Sequence, residues 1–249
     1  GSARTEARGR RGMGVALALL LGAAPCLVGA LLAPTAAGDA ALAAAGAPGP
    51  AAMFAGELAA RVDPERALED VRRLSGATPL CTSAGCITVT NRLTGSADLA
   101  RATDYLAEEL SSLGYGVSFE TWTSMPWFDR NLFATSTGVV TPTEKVYIVA
   151  HVDGVGGCPN GRCPGADDNA SGTAAVLELA RALAELDTAP SVVFLFSTGE
   201  EQGCLGVNTH LASLSAADLA SIRAVVNLDM VGYDSDDDGV MNLYYGDHP

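Results

Sequence analysis

Imidazole and carboxylate groups recur in four short segments in the second half of this chain. They are His151-Val152-Asp153, Gly165-Ala166-Asp167-Asp168-Asn169-Ala170-Ser171-Gly172, Gly199-Glu200-Glu201 and Asn227-Leu228-Asp229-Met230. An imidazole nitrogen with several carboxylate oxygens is a donor set that borderline divalent ions such as zinc favour. A further carboxylate beside that set can carry a proton while water attacks a carbonyl. The chemistry on offer is metal-assisted hydrolysis. Taken singly, each segment has a simpler reading. A histidine after a strand is a hydrogen-bonded loop residue, Glu200-Glu201 is solvated surface, Asp168-Asn169 caps a helix and Asp229 makes a turn. All four together, in this order, favour a metal site.

The elements that must position these groups are legible as apolar runs and helical periodicities. Lys145 to Ala150 (KVYIVA) and Ser191 to Phe196 (SVVFLF) are nearly continuous apolar runs of buried, parallel-sheet type. A third strand is expected from Ile222 to Leu228. Helices are expected over Ser171 to Leu186 and over about Val207 to Ala220. Earlier, Asp63-Pro64 opens a helix through Leu74, with a capping side chain followed by a proline at the first helical position. Leu99, Ala102, Tyr105, Leu106, Leu110 and Leu113 share one helical face from Ser96 onward, and Gly114 ends that helix. Tyr115 to Trp122 and Asn131 to Ser136 read as strands. Strands alternating with helices give an α/β fold with a largely parallel or mixed twisted sheet flanked by helices. His151, Glu200 and Asp229 then leave strand ends at one edge of the sheet, where sites of such folds form.

The chain has 249 residues, with 15 basic and 29 acidic side chains and a net charge of −14. A surface this acidic repels phosphate backbones and excludes nucleic acid as a partner. The first residues run the other way, with Arg4, Arg8, Arg10 and Arg11 ahead of an apolar run from Val15 to Ala33 and an Ala/Gly/Pro-rich stretch. That is the order of a secretory signal, favoured over an uncleaved membrane anchor. We therefore expect residues 1–38 to be signal or anchor, 39–62 linker and 63–249 the catalytic domain of a secreted or periplasmic protein. Cys81 with Cys86 and Cys158 with Cys163 read as two small-loop disulfides of an oxidising compartment. Cys204 is left over.

From Asn91-Arg92-Leu93-Thr94-Gly95-Ser96 to Asp229 the sequence resembles the M28 family of zinc aminopeptidases, which use a cocatalytic metal pair. The resemblance implies a zinc-exopeptidase-like, phosphorylase/hydrolase-like fold, two zinc ions and peptide substrates. It makes His151 a ligand of one metal, with Asp153 holding its imidazole in the binding tautomer. Asp168, the aspartate just before the asparagine, would bridge both metals, while Asp167 is structural. Glu200 would be the general base, Glu201 a metal ligand, and Asp229 a ligand of the metal that His151 binds.

The family's metal cage has a fifth protein ligand, a histidine well downstream of the last aspartate. Besides His151 the chain has His210, expected in a core or surface role, and His248 beside the last residue. A chain stopping short of that histidine is the favoured expectation, and His248 as the ligand is the alternative. Asp234, Asp236 and Asp238 before Gly239 resemble the opening of a calcium loop, without its closing glutamate. An acidic hairpin turn is favoured there over bound calcium. Rival functions are a carboxypeptidase-type relative, a single-zinc glutaminyl cyclase, and an inactive calcium-stabilised binding domain. The Asp-Asn-x-Ser-Gly continuation disfavours the cyclase, and Glu200 disfavours the inactive domain. Membrane contact is expected only through an uncleaved N-terminal segment.

Overall fold

A computed structural model describes residues 49–234 and two short strands, β1 (Thr5–Arg8) and β9 (Val240–Leu243), which pair antiparallel. Most of the expected signal segment, Asp236, Asp238 and His248 lie outside the described residues. Among the described residues no helix is long and apolar enough to cross a membrane.

The central sheet has five strands in the order β4-β5-β7-β6-β8. These are β4 (Gly116–Ser124), β5 (Trp127–Ser136), β6 (Thr141–His151), β7 (Pro190–Ser197) and β8 (Ile222–Asn227). Strands β7, β6 and β8 run parallel, while β4 and β5 form a hairpin whose β5 arm pairs antiparallel with β7. The sheet is therefore mixed, its parallel half carrying the apolar runs seen in the sequence. Every residue of β7 is buried, which fits a strand covered on both faces.

Four helices build the principal core against one face: α1 (Pro50–Arg61), α2 (Pro64–Leu74), α3 (Ala97–Ser112) and α4 (Gly172–Leu183). The Asp63 side chain accepts from the Glu65 and Arg66 amides at the start of α2, and Ser96 caps α3 by accepting from Leu99. Glu178 on α4 is fully buried, accepting from Arg66 and from the Asp63 amide. Asp70 on α2 is equally buried and meets Arg73, Tyr105 and Arg181. These charged contacts lock α2, α3 and α4 into one layer. On the opposite face α5 (Leu205–Ser213) and α6 (Ala216–Ser221) cover a smaller cluster of Tyr147, Val149, Val193 and Leu195.

Three expectations need correction. The linker expected over 39–62 is helical from Pro50, because alanine is the best helix former, proline suits the first turn, and Leu58 finds a place in the core. The single helical stretch expected over 207–220 is broken at Leu214, which is extended. Ser215 and Asp218 form a reciprocal capping box that starts α6 afresh. The helix expected from Ser171 begins as a π-turn over Ala166–Ser171 before α4 proper. Both expected disulfides are present. Cys81 and Cys86 face each other across the hairpin of β2 (Leu80–Thr82) and β3 (Gly85–Ile87), and Cys158 joins Cys163. Cys204 is free and exposed.

Candidate metal centre

His151 ends β6, paired with Ser197 of β7, and is only 3% exposed. Its backbone carbonyl accepts from Thr173 on α4, so the end of β6 is tied to the start of that helix. The Nδ1 atom lies 3.1 Å from the Asp153 carbonyl oxygen. Nε2 faces outward, 3.3 Å from Asp168 Oδ1 and 3.6 Å from Asp229 Oδ1. One donor atom from each of His151, Asp168 and Asp229 lies within 4.8 Å of the others. The histidine floors the site, while the two aspartate side chains are 44% and 43% exposed at its mouth.

The second motif uses nearly every residue to hold those aspartates together. Asn169 donates to the Leu228 carbonyl and accepts from the Gly172 and Met230 amides, gripping both flanks of Asp229. Asp167 accepts from the Gly232 amide and from Ser171, and Ser171 accepts in turn from Val231. Asp167 is thus a latch on the segment after Asp229. Gly172 allows the close approach, since a Cβ there would lie 2.2 Å from the Leu228 oxygen.

The glutamate pair sits in the loop after β7 and is held from two sides. The Asp153 carboxylate, fully buried, accepts from the Glu200 and Glu201 amides at 3.2 Å each and from the Thr94 hydroxyl. Its Oδ1 is 3.6 Å from His151 Nδ1, so the carboxylate orients the glutamate loop more closely than it touches the imidazole. From the β4–β5 hairpin, Trp122 Nε1 donates to Thr198 and Asn131 accepts from the Thr198 amide. Trp122 also packs on Gly199, whose φ of +76° suits glycine. The exposed Cys204 thiol donates to Glu200 Oε1 at 3.7 Å.

Electrostatics match a site made for a cation. Burial alone would push the His151 pKa down, but its links to Asp153 and Asp229 outweigh this and raise it to about 10. Burial raises Glu201, and the nearby Asp168 charge adds to that. Glu201 Oε1 is buried without a hydrogen-bond partner. A buried orphan oxygen beside three clustered donors is what a bound divalent ion would satisfy, so the residues present fit a metal. Glu201 stands outside the 4.8 Å trio.

His210 is elsewhere, against Tyr147 and Glu120 on the other sheet face. Of the candidate calcium loop only Asp234 is described. The sequence reading gave no role to Trp122 or Asn131. A tryptophan and an asparagine in a hairpin carry no local signal for a loop some seventy residues on.

Residues 131–247 match the model of Peptidase family M28. That stretch belongs to peptidase family M28. Leupeptin-inactivating enzyme 1 of Streptomyces exfoliatus is 33% identical over 144 residues, 57% of this chain and 32% of its own length. Aminopeptidase YwaD of Bacillus subtilis is 39% identical over 89 residues, 36% of this chain and 18% of its own. The chain therefore spans a third or less of the length of these relatives. Among solved structures, the aminopeptidase from Aneurinibacillus sp. strain AM-1 superposes with a TM-score of 0.58 at 16% identity, over 70% of this chain and 72% of that one. A Bacteroides thetaiotaomicron glutaminyl cyclase gives 0.55 at 19%, over 70% and 64%. These two establish a shared fold.

Proposed function

We propose that this M28 chain is the catalytic part of a secreted zinc aminopeptidase. The convergence of His151, Asp168 and Asp229 donors within 4.8 Å carries the reading. The three, together with Glu201, would hold a pair of zinc ions. Bound zinc supplies Lewis acidity, polarising a scissile carbonyl and acidifying water. The chain's own residues do the rest. Glu200, anchored by its amide on Asp153 yet partly exposed, takes the proton of the attacking water and returns it to the leaving amine. Asp153 keeps the base in place through two amides of its loop. Peptides are the substrates, and the two disulfides support an oxidising, extracytoplasmic setting.

A cyclase of the same fold shows that architecture does not select the reaction. What favours the peptidase is the Asp168-Asn169-Ala170-Ser171-Gly172 run, in which Asn169 and Ser171 hold the segment that carries Asp229. The test is zinc content and hydrolysis of an aminoacyl chromogenic substrate by the wild type and Glu200→Gln. Zinc retained by both, with turnover lower by about 10²–10⁴-fold in the variant, is expected. A wild type carrying two zinc ions but releasing no product refutes the assignment.

A further inference from the structure

Arg92 is among the largest side chains fully withdrawn from solvent, at 1% exposure, and the ion pairs among the described residues do not include it. Four of its five N–H donors go to backbone carbonyls instead. Nε donates to the Val152 carbonyl at 2.7 Å, Nη1 to Leu74 at 2.6 Å and Pro164 at 2.8 Å, and Nη2 to Gly165 at 2.9 Å. Those acceptors are not scattered. Val152 stands between His151 and Asp153, and Pro164 and Gly165 open the turn that delivers Asp168. Leu74 ends α2, where a helix presents its unpaired carbonyls and favours a cation.

The main chain around Arg92 runs through the same gap. The Arg92 carbonyl accepts from Gly154, the Thr90 carbonyl accepts from Cys163, and Asn91 bridges Cys163 in parallel. Thr94, two residues on, donates to the Asp153 carboxylate. Segment 90–94 is thus a wedge between the His151 turn and the Asp168 turn, with the guanidinium as its cross-piece. Gly165 leaves room for it, since a Cβ there would come within 3.1 Å of Nη2.

We infer that Arg92 is a positioning residue of the metal centre: its planar fork fixes the separation of the His151 and Asp168 turns, and so the geometry offered to the ion. This rests on the zinc reading above. A planar guanidinium can bond to carbonyls on opposite sides at once, whereas a lysine ammonium is a single point that cannot reach both. A buried arginine with only a packing role would contribute to stability alone. A positioning role adds a loss of metal affinity that survives in folded protein.

The full chain is compared with Arg92→Lys, Arg92→Met and, as a core control remote in role from the loops, Leu106→Ala. Zinc affinity is read by competition with a chromophoric chelator, cobalt substitution by its visible absorption, and folding by circular dichroism. Both Arg92 variants should fold, bind zinc about 10–100-fold more weakly, and give cobalt bands of altered position or intensity. Leu106→Ala should lose thermal stability yet keep wild-type affinity and spectrum. A folded Arg92 variant with unchanged affinity and cobalt spectrum overturns the inference while leaving the zinc reading intact. So does equal loss of affinity in Leu106→Ala. Failure of both Arg92 variants to fold assigns the residue to the core and overturns it too. A wild type that binds no zinc refutes the metal-centre reading, and this inference with it.

Discussion

Replacing Gly172 by alanine sets two effects of opposite sign against each other. The residue has helical angles, φ −64° and ψ −43°, so alanine is intrinsically better there by up to about 1 kcal/mol. The added methyl, however, would lie 2.2 Å from the Leu228 oxygen, 2.3 Å from Asn169 Oδ1 and 2.8 Å from the Leu228 carbon. Ordinary contact begins near 3.4 Å, so the Leu228 carbonyl must retreat by about 1 Å. It cannot rotate away, because it is main chain. Asn169 is pinned by the Gly172 and Met230 amides and by its own bond to that same carbonyl. Overpacking of this kind costs about 1–3 kcal/mol, and the strained Asn169–Leu228 bond adds about 1 kcal/mol. The clash wins, and we expect a net loss of about 1–3 kcal/mol. The displacement falls on the residue before Asp229. Metal sites tolerate only about 0.2 Å of error in ligand distance, so zinc affinity should fall at least about tenfold. Urea denaturation and chelator competition on Gly172→Ala measure both quantities. A variant as stable as the wild type, with unchanged zinc affinity, would show that β8 and α4 do not set the position of Asp229.

Two further outcomes follow from the buried charges. With its pKa raised to about 10, His151 carries a proton at neutral pH in the metal-free chain, and an incoming ion must displace it. Apparent zinc affinity should therefore climb about tenfold per unit between about pH 6 and 8, and a flat profile would refute the protonated state. In the metal-free protein the sign is reversed. The raised pKa stabilises the fold in full below about pH 6.5, and that contribution is lost as pH rises towards about 10. Asp70→Asn, which leaves Arg181 and Arg73 facing a neutral amide in a fully buried position, should cost about 3 kcal/mol. Arg181 keeps Glu109 and Glu178, which holds the loss at the low end of the range for a broken buried pair. A urea midpoint within error of the wild type would contradict this.

The sequence by itself determined the parallel core strands, the capped helices α2 and α3, both disulfides, and the residue types gathered at the candidate metal centre. Each of these is written locally, as an apolar run, a capping side chain, a cysteine spacing or a motif beside a strand. The helix from Pro50 was hidden because alanine, glycine and proline also compose linkers, and only the seat for Leu58 in the core distinguishes the two. Contacts between distant segments left no such trace. That Asp153 holds the Glu200 and Glu201 amides, that Trp122 and Asn131 brace the same loop, and that Arg92 bonds to both ligand turns were decided by the sheet order, which brings β5, β7 and β6 side by side. A hydrogen bond to a backbone carbonyl asks nothing of the partner's side chain, so no motif at Val152 or Gly165 could have announced it.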